Sequence, residues 1–265
     1  MSEKFYKFSG TGNDFILFDN RDGHISAENA ELFKRLCKRR LGIGADGVVL
    51  FEKSKTCDFR MRYFNADDGK EAEMCGNGGR VISYFAHQAL STESRGEYSF
   101  QTYNSVYQSK VDGDYVELKM PELYDEGRYD LSKYSDYQFG LYINTGAPHA
   151  VFPVIDLKKF PVETKGAAIR KDSLFECGTN VNFFEILNEK KVRLRTFERG
   201  VEAETLACGT GAVAVAYALF KKYSMRREVL FEVLGGQLKV LFDNDFKNVW
   251  LCGKVDFIYS GEVEF

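Results

Sequence analysis

Two cysteines occur in nearly the same short setting, one in each half of this 265-residue chain. Cys75 lies in the sequence EMCGNG, and Cys208 lies in the sequence LACGTG. Inverting a carbon that carries an acidic hydrogen requires a base on one face and an acid on the other, because one group cannot serve both faces without a large motion. We therefore interpret Cys75 and Cys208 as two thiols that act on one substrate, one starting as thiolate and the other as thiol.

The residues after each cysteine predict that its sulfur lies near the start of a helix. Helical patterns run over 79–90 and 209–223, and glycine follows each cysteine directly. At a helix N-terminus, backbone N–H groups without intrahelical partners favour a thiolate and bind a carboxylate. These donors would stabilise negative charge that develops on a substrate carboxylate, so we predict that no cofactor and no metal is needed.

The other four cysteines are interpreted as small buried packing residues, which is the commoner role of a single cysteine. They are Cys37, Cys57, Cys177 and Cys252, and none has a counterpart at the repeat spacing described next. No Cys-x-x-Cys pair and no His/Cys/Asp spacing indicates a metal site. We expect all six thiols to be unbridged.

The two halves of the chain resemble each other beyond the cysteines. At an offset of 133, Arg60–Phe64 falls on Arg193–Phe197, and both segments lead without a gap to the cysteines. At an offset of 134, the segment 44–51 falls on 178–185. A period this long indicates two domain-sized copies rather than a solenoid of small repeats. We predict an N-terminal domain over 1–122 and a C-terminal domain over 123–265, with the final strand a candidate to return to the first domain.

Apolar runs predict many strands and few helices. Strands are expected at 15–19, 47–52, 59–64, 98–103 and 115–120, and again at 141–144, 150–153, 182–187, 191–197, 229–234, 236–242 and 248–251. Helices are expected over 27–39, 79–90 and 209–223, the last apolar on nearly all sides. The fold class is therefore α+β, with two pseudo-symmetric domains, each a mostly antiparallel sheet or barrel around a central α-helix.

Composition narrows the class of partner. The chain is 44% hydrophobic and 15% aromatic, which is enough for two cores, and its net charge of −3 mixes both signs. That balance argues against nucleic acid as a partner and favours a small polar ligand. No apolar run approaches the roughly 20 residues of a membrane span, and the N-terminus lacks a secretory signal. We therefore expect a soluble, cytoplasmic protein with no membrane partner.

Seven motifs together point to one family. They are KFSGTGNDF (7–15), GADG (44–47), RYFNAD (62–67), EMCGNG (73–78), NTGAPH (144–149), TNVNF (179–183) and FERG (197–200) leading to ACGTG (207–211). By these motifs, nearly the whole chain resembles the diaminopimelate epimerase family, cofactor-independent enzymes that interconvert L,L- and meso-diaminopimelate on the bacterial lysine and peptidoglycan route. The resemblance also implies a homodimer.

The resemblance implies roles for particular residues. Cys75 and Cys208 would be the acid and base, with His149 and Glu198 tuning their ionisation. The residues that would hold diaminopimelate are Asn13, Asn65, Gly76, Asn77, Asn180, Glu198, Arg199, Gly209 and Thr210. A substrate with two amino-acid ends suits amides that bond ammonium and carboxylate, a Glu for an ammonium and an Arg for a carboxylate.

Two positions depart from the family pattern, and three other functions compete. Many members have asparagine at Ala147, and some have glutamine at Gly47. A proline or hydroxyproline racemase-like enzyme also uses two cysteines, but it usually places a histidine where this chain has Asn77, and the Glu198–Arg199 pair suits a second charged head better than a pyrrolidine ring. The remaining alternatives are a thiol redox protein that joins the two cysteines and a non-enzymatic amino-acid binding protein.

Overall fold

The computed structural model describes residues 2–72, 74–90, 96–137, 139–225 and 227–265, with the side chains of 135–137 left undescribed. The chain divides into two compact units. The first comprises the chain up to Leu118 together with Gly253–Phe265, and the second is Lys119–Cys252. The last strand of the chain therefore belongs to the first unit, and the first chain crossing lies a few residues before the position expected from the sequence.

The elements follow in chain order. The first half contains β1 (Ser2–Gly10), β2 (Asn13–Asp19), α1 (Ala30–Cys37), β3 (Gly47–Glu52), β4 (Phe59–Asn65), β5 (Glu71–Ala72), α2 (Gly76–Ala89), β6 (Glu97–Gln101), β7 (Val106–Asp112) and β8 (Tyr115–Lys119). The second half contains a 3-10 helix (Ser132–Tyr137), β9 (Leu141–Asn144), β10 (Pro148–Pro153), α3 (Val162–Arg170), β11 (Asn180–Ile186), β12 (Lys191–Glu198), β13 (Ala203–Thr205), α4 (Gly209–Tyr223), β14 (Glu228–Val233), β15 (Gly236–Leu241), β16 (Trp250–Lys254) and β17 (Asp256–Glu264).

Strand pairing repeats between the units. In the first, β2 runs parallel to β3, β3 pairs antiparallel with β4, and β4 pairs antiparallel with β5 and parallel with β6. In the second, β10, β11, β12, β13 and β14 pair in the same order and directions. Phe59 faces Phe100 in one unit, and Val192 faces Phe231 in the other. The duplication predicted from the sequence is therefore present strand for strand.

One part of the predicted alignment between the halves is wrong by one residue. Val48 faces Phe64, and Val181 faces Phe197. Because Phe64 and Phe197 correspond at the offset of 133, Val48 corresponds to Val181, and the offset of 134 does not hold for β3. Gly47 is thus the counterpart of Asn180. The chain between β2 and β3 is one residue longer than the chain between β10 and β11, and this difference was invisible in the short Gly-rich motifs.

Each unit packs its sheet around a helix that begins at a cysteine. Helix α2 contacts β1, β2, β3, β4 and β7, and helix α4 contacts β9, β10, β11 and β15. All eight residues from Gly76 to Ser83 are buried, because their side chains are small or enclosed by the sheet. Helix α1 packs against β3 and β4, and α3 packs against β11, β12 and β13. The central helices predicted from the apolar patterns are confirmed, and α4 has the predicted bounds.

Sequence patterns missed several elements. Helix α3 carries Gly166 and only a short apolar stripe, so its pattern resembles a loop. Strands β1, β7 and β17 were also not predicted, because charged residues interrupt the first two and β17 is mostly exposed. Strand β17 forms because β1 offers it an edge, and the two pair antiparallel along nearly their whole length. None of the helices in the described residues is long and apolar enough to cross a membrane.

Candidate active site

Cys75 is the N-cap residue of α2, which begins at Gly76, three residues before the start predicted at 79. Its extended backbone angles, φ −124° and ψ 120°, turn the chain into the helix, and its carbonyl accepts the bond from the amide of Gly79 at 2.8 Å. The half-buried Sγ donates to Oδ1 of Asn13 at 3.5 Å. Asn13 starts β2, directly after the two-residue turn at Thr11 and Gly12, so the hairpin brings it to the helix start.

The side chain of Asn77 connects this site to a buried arginine. Its Nδ2 donates to Oδ1 of Asn13 at 3.2 Å, and its Oδ1 accepts from Nη2 of Arg80 at 2.8 Å. Arg80 is fully buried, and its guanidinium also donates to the carbonyls of Gly10 and Lys254. These hydrogen bonds offset the free energy that is lost when the guanidinium is removed from water.

Two carboxylates lie on the other side of Asn13. Its Nδ2 donates to Oδ2 of Asp46 at 2.7 Å, and Arg39 bonds both Asp46 and Asp14. Lys7, itself buried, forms an ion pair with Asp14 at 2.6 Å. Burial of Asp14 acts to raise its pKa, but the hydrogen bonds and charges of Arg39 and Lys7 outweigh burial and hold that pKa below its usual value.

Asn65 ends β4 on the face that packs against α2. Met61, Tyr63 and Asn65 alternate along the strand with side chains of the opposite face. Met61 lies beside Gly78, since a Cβ on that glycine would be 3.1 Å from the methionine methyl carbon. The side chain of Asn65 is half-buried, and its backbone closes the turn to Gly69 and Lys70. In the first unit, the structure thus places Asn65 on the strand face that packs on the Cys75 helix.

Cys208 is the N-cap residue of α4 and is buried, with 5% exposure. Its Sγ lies 3.6 Å from Oγ1 of Thr210, whose carbonyl accepts from Oγ1 of Thr145 at 2.9 Å. Gly211 permits a close approach, because a Cβ there would lie 2.3 Å from Oδ1 of Asn182 and 3.3 Å from the Cys208 sulfur. Glycine is therefore needed at this position for Asn182 to reach the helix start.

His149 is a fully buried, neutral imidazole. Nδ2 of Asn182 lies 3.0 Å from Nδ1 of His149 and 3.1 Å from the carbonyl of Ala150. Because the carbonyl of Ala150 can only accept, the amide nitrogen of Asn182 must face it and the ring, so Nδ1 accepts and the ring proton must sit on Nε2. Oδ1 of Asn182 is then left to accept from the hydroxyl of Thr196 at 3.0 Å. Burial, helped by the charge of Arg199, lowers the pKa of His149 to about 3. Nε2 is itself buried and has no hydrogen-bond partner among the residues that the structure describes.

The remaining predicted residues of the second unit lie where β11 begins and β12 ends. Buried Asn180 donates to the carbonyl of Pro148 at 3.0 Å and accepts from the amide of Arg199 at 2.8 Å. Its amide keeps one hydrogen and one lone pair for a ligand. Glu198 is half-buried at the end of β12, while the exposed Arg199 guanidinium donates to the carbonyl of Cys177 at 3.1 Å.

The cysteines outside these two helix starts differ from one another. All six lie within the described residues, and none is disulfide-bonded. Cys37 and Cys252 are buried as expected, and burial raises the pKa of Cys37 to about 12. The expectation of a buried packing residue is wrong for Cys177, which is exposed in the turn before Gly178, and Cys57 is only half-buried. Among the described residues, no three His, Cys, Asp or Glu side chains are grouped as a metal site requires.

Comparison with known proteins gives the family. A sequence model described as diaminopimelate epimerase matches residues 5–125 and 141–258. The diaminopimelate epimerase of Chlorobaculum tepidum is 40% identical over 266 residues, covering 96% of this chain and 99% of that protein. The diaminopimelate epimerase of Flavobacterium psychrophilum is 37% identical over 263 residues, covering 97% of this chain and 98% of that protein. The chain belongs to the diaminopimelate epimerase family.

The solved structures agree on the fold. A Bacillus anthracis phenazine biosynthesis protein of the PhzF family superimposes with a TM-score of 0.76 at 15% identity, covering 100% of both chains. At that identity, the match shows a shared fold alone. The family, the enzyme class and the α+β fold class predicted from the sequence are therefore confirmed.

The structure explains one departure from the diaminopimelate epimerase pattern. A Cβ on Gly47 would lie 2.5 Å from Cε2 of Tyr63, so the tyrosine ring occupies the space in which a longer side chain at position 47 would begin. Tyr63 in turn packs edge-on against Phe15, with 6.0 Å between ring centroids. Ala147, the other departure, closes the three-residue turn between β9 and β10, where its carbonyl accepts from the amide of Thr145.

Several residues of the site were not singled out from the sequence. Asp46 lay within a quoted motif, but only as part of a glycine-rich turn. Arg80 lies in a mostly apolar helix and was overlooked. A single arginine among small and apolar residues is the pattern that could have indicated a buried charge. Asn182 lay within a strand, where an internal asparagine is uncommon. Thr145 lay within the quoted NTGAPH motif without a role of its own.

Proposed function

We propose that this protein interconverts L,L- and meso-diaminopimelate by proton exchange at one α-carbon, with Cys75 and Cys208 as the acid and base and no cofactor. The observation that carries the proposal is the position of the two thiols. Each is the N-cap residue of the central helix of its own unit, at corresponding places in a duplicated strand order. Family membership supplies the reaction, and this duplication supplies one proton-transfer group for each face of the carbon.

The proton balance of the proposed reaction is simple. A thiolate removes the α-hydrogen from one face, which leaves a carbanion stabilised through the neighbouring carboxylate. The other thiol delivers its proton to the opposite face. One C–H bond is broken and one is formed, and the two sulfurs exchange protonation states. The reverse reaction then starts from the state that the forward reaction leaves.

The helix starts provide donors for the substrate carboxylate in this proposal. First-turn N–H groups of an α-helix have no intrahelical partner, and they point toward the N-cap residue. In α2 these belong to Gly76 and Asn77, and in α4 to Gly209 and Thr210. Such fixed dipoles stabilise the charge that develops on the carboxylate during proton removal. His149 adds a neutral N–H donor, which Asn182 links to the start of α4.

The distal amino-acid end of diaminopimelate is assigned to the second set of polar residues. Glu198 suits the ammonium and Arg199 suits the carboxylate, because each provides the opposite charge with a geometry that accepts or donates two bonds. The amides of Asn65 and Asn180 can bond either group, and Asn13 keeps one N–H for a carboxylate. A proline-type substrate has no second charged end and leaves Glu198 and Arg199 without a role.

Solvent exchange tests the two-thiol proposal directly. In D2O, the wild-type protein is expected to incorporate deuterium at the α-carbon of diaminopimelate, as followed by mass spectrometry. Cys75→Ala and Cys208→Ala should each lose inversion by a factor of about 1000 or more, because each face then lacks its own group. The matched control is Cys177→Ala, which removes an exposed thiol outside both helix starts.

Three outcomes would contradict the proposal. Near-normal inversion in either Cys75→Ala or Cys208→Ala would show that one thiol is sufficient. Exchange with proline but not with diaminopimelate would move the assignment to the proline racemase-like alternative. A protein that binds diaminopimelate in calorimetry without exchanging its hydrogen would be a binding protein rather than an enzyme.

We also infer that the protein is a cytoplasmic homodimer that binds neither nucleic acid nor membranes. An apolar patch on β17 supports the dimer, since Phe257, Ile258 and Tyr259 are 50%, 52% and 43% exposed. Sedimentation velocity at micromolar concentration should give a dimer, and Ile258→Asp should shift it to the monomer. A wild-type monomer under these conditions would contradict this inference.

A further inference from the structure

In the first unit, the side chains of Arg80, Asn77, Asn13 and Asp46 form a series of hydrogen bonds in which each residue donates to the next. Arg80 at its start is also bonded to backbone carbonyls. Arg80 donates to Asn77 at 2.8 Å, Asn77 donates to Asn13 at 3.2 Å, and Asn13 donates to Asp46 at 2.7 Å. The thiol of Cys75 donates to Oδ1 of Asn13, in the middle of this hydrogen-bond series, at 3.5 Å.

The ends of this hydrogen-bond series determine the orientation of both amides. A guanidinium has only donors, so the group of Asn77 that faces Arg80 must be its oxygen. A carboxylate has only acceptors, so the group of Asn13 that faces Asp46 must be its nitrogen. Rotating either amide by 180° would place N–H against N–H or oxygen against oxygen. The oxygen of Asn13 is therefore the atom that must face Cys75.

This orientation favours the neutral form of the Cys75 thiol. An S–H group donates to the amide oxygen, whereas a thiolate would face the negative end of the amide dipole. The helix start acts in the opposite direction, because its N–H groups favour the thiolate. The hydrogen bond from the thiol to Asn13 and the negative charge of Asp46 behind it both act to raise the pKa of Cys75. They oppose the lowering of that pKa by the N–H groups at the start of α2.

The charged groups around this hydrogen-bond series come from three elements and the loops beside them. Asp46 and Asp14 lie behind Asn13, and both are bonded to Arg39. Lys7 of β1 neutralises Asp14, and Arg80 of α2 contacts Asn77. The two cations Arg39 and Lys7 are bonded to the carboxylates, and the amide oxygen of Asn13 lies within hydrogen-bonding distance of the Cys75 sulfur.

We propose that Asp46 and Arg80 are positioning residues that orient Asn13 so that Cys75 starts as the acid in the resting enzyme. Resting on the two-thiol function proposed above, this assigns Cys208 as the base for the isomer that binds the resting enzyme. Thr210 is compatible with that role, because its hydroxyl rotates freely enough to donate to a thiolate 3.6 Å away. After each turnover in that direction, Cys75 holds the negative charge and the amide contact favours its return to the thiol.

Site-specific alkylation measures the proposed difference without substrate. The rate of iodoacetamide modification of each cysteine is followed between pH 5 and 10 by peptide mass spectrometry, with exposed Cys177 as an internal reference. Cys208 is expected to titrate at lower pH than Cys75. Asp46→Ala removes the acceptor that holds the N–H of Asn13 away from the sulfur, so only the 3.2 Å contact from Asn77 still opposes rotation of this amide. The Cys75 pKa should then fall by about one unit, raising its modification rate near neutral pH by about tenfold.

Asp46→Asn is the matched control, because it removes the same charge but keeps an oxygen that can accept from Asn13. Its effect on Cys75 should be smaller than that of Asp46→Ala, and the difference measures the amide orientation. Equal shifts in the two variants would overturn the proposal in favour of a simple charge effect. A Cys75 that titrates below Cys208 in the wild-type protein would also overturn it.

These outcomes are separable from failure of the proposed function. Thiol titrations are made on the substrate-free protein, whereas the function is tested by deuterium exchange into diaminopimelate. A protein that exchanges deuterium but shows the reverse order of thiol titration would keep the two-thiol function and reject the positioning role of Asp46.

Discussion

Single residues near both helix starts are held in one protonation or orientation state by their immediate partners. His149 illustrates this in the second unit, where Asn182 occupies its Nδ1 and burial keeps the ring neutral. A neutral imidazole donates through Nε2 without adding positive charge.

The pH dependence of stability follows from the lowered pKa of His149. Its pKa falls from 6.5 to about 3, so below pH 6.5 the unfolded chain binds a proton that the folded protein does not. Stability from this group is complete above pH 6.5 and is lost as the pH falls toward 3, by at most about 1.4 kcal/mol per pH unit. Urea unfolding of wild type and His149→Gln between pH 7.5 and 4.5 should show a steeper loss in the wild type.

The comparison isolates His149, because the carboxylates that also titrate in this range are common to both proteins. If His149→Gln does not fold, imidazole ¹⁵N shifts of the wild-type protein provide the same information. They should show the neutral Nε2–H tautomer still present at pH 5. An imidazole that protonates near pH 6.5, or equal slopes in the two proteins, would contradict the assigned neutral state.

At the scale of elements, the helices on the outside of the sheets support the strand ends that carry polar site residues. Gly166 of α3 is in direct contact with β12, since a Cβ there would lie 2.3 Å from Cβ of Phe197. The next residue along the strand is Glu198. Glu163 of the same helix also accepts from the backbone amide of Glu204 in β13 at 3.0 Å. Helix α3 therefore constrains the strand end that presents Glu198.

Gly166→Ala should push α3 away from β12. Alanine gains about 1 kcal/mol of helix propensity over glycine, while overpacking a core contact costs about 1 to 3 kcal/mol or more. Because the contact atom is the Cβ of buried Phe197 rather than the end of a flexible side chain, we expect the clash to dominate. Urea unfolding should show a net loss of stability, and kinetics should show a higher KM for diaminopimelate.

Lys165→Ala is the control for this helix, because Lys165 is exposed on α3 and its replacement also favours helix. It should leave both stability and KM near their wild-type values. A Gly166→Ala protein as stable as Lys165→Ala would show that α3 moves without cost and does not constrain β12.

For the molecule as a whole, the end of the chain completes the first unit. Strand β17 pairs with β1 along nearly its whole length, and the ring pairs Phe5–Tyr259 and Phe8–Phe257 lie at centroid distances of 5.8 Å and 5.4 Å. The first unit is therefore assembled from chain segments more than 130 residues apart. Contacts of such long range make folding of this unit dependent on the finished chain.

Removing residues 256–265 should destabilise the first unit selectively. Strand β1 would lose a neighbour and expose an unpaired edge, which also favours aggregation. Hydrogen exchange measured by mass spectrometry should show faster exchange in β1 and β2, with the strands of the second unit still protected. The control Ser260→Ala changes an exposed side chain of β17 and keeps its backbone bonds. Equal loss of protection in both units would show that they unfold as one.

The sequence by itself determined the features that depend on local pattern. Cys75 and Cys208 recur at a fixed spacing before helix-forming segments, so the duplication, a helix after each cysteine and the bounds of α4 were predictable, although α2 begins three residues earlier than expected. Seven ordered motifs were enough for the family. Hydrophobic periodicity depends only on residues that are close together in the sequence, so it can be recognised before the fold is known.

The tertiary structure decided which distant groups meet and how they are oriented. Only strand pairing shows that Gly47 corresponds to Asn180, because a one-residue difference in a turn does not alter a short motif. The hydrogen bonds that lead from Arg80 to Asp46 likewise appear only in the folded structure, because the residues that form them come from a helix, a strand and a loop. The sequence does not show which way the side-chain amide of Asn13 is turned. Only its neighbours in space determine whether its oxygen or its nitrogen faces the thiol.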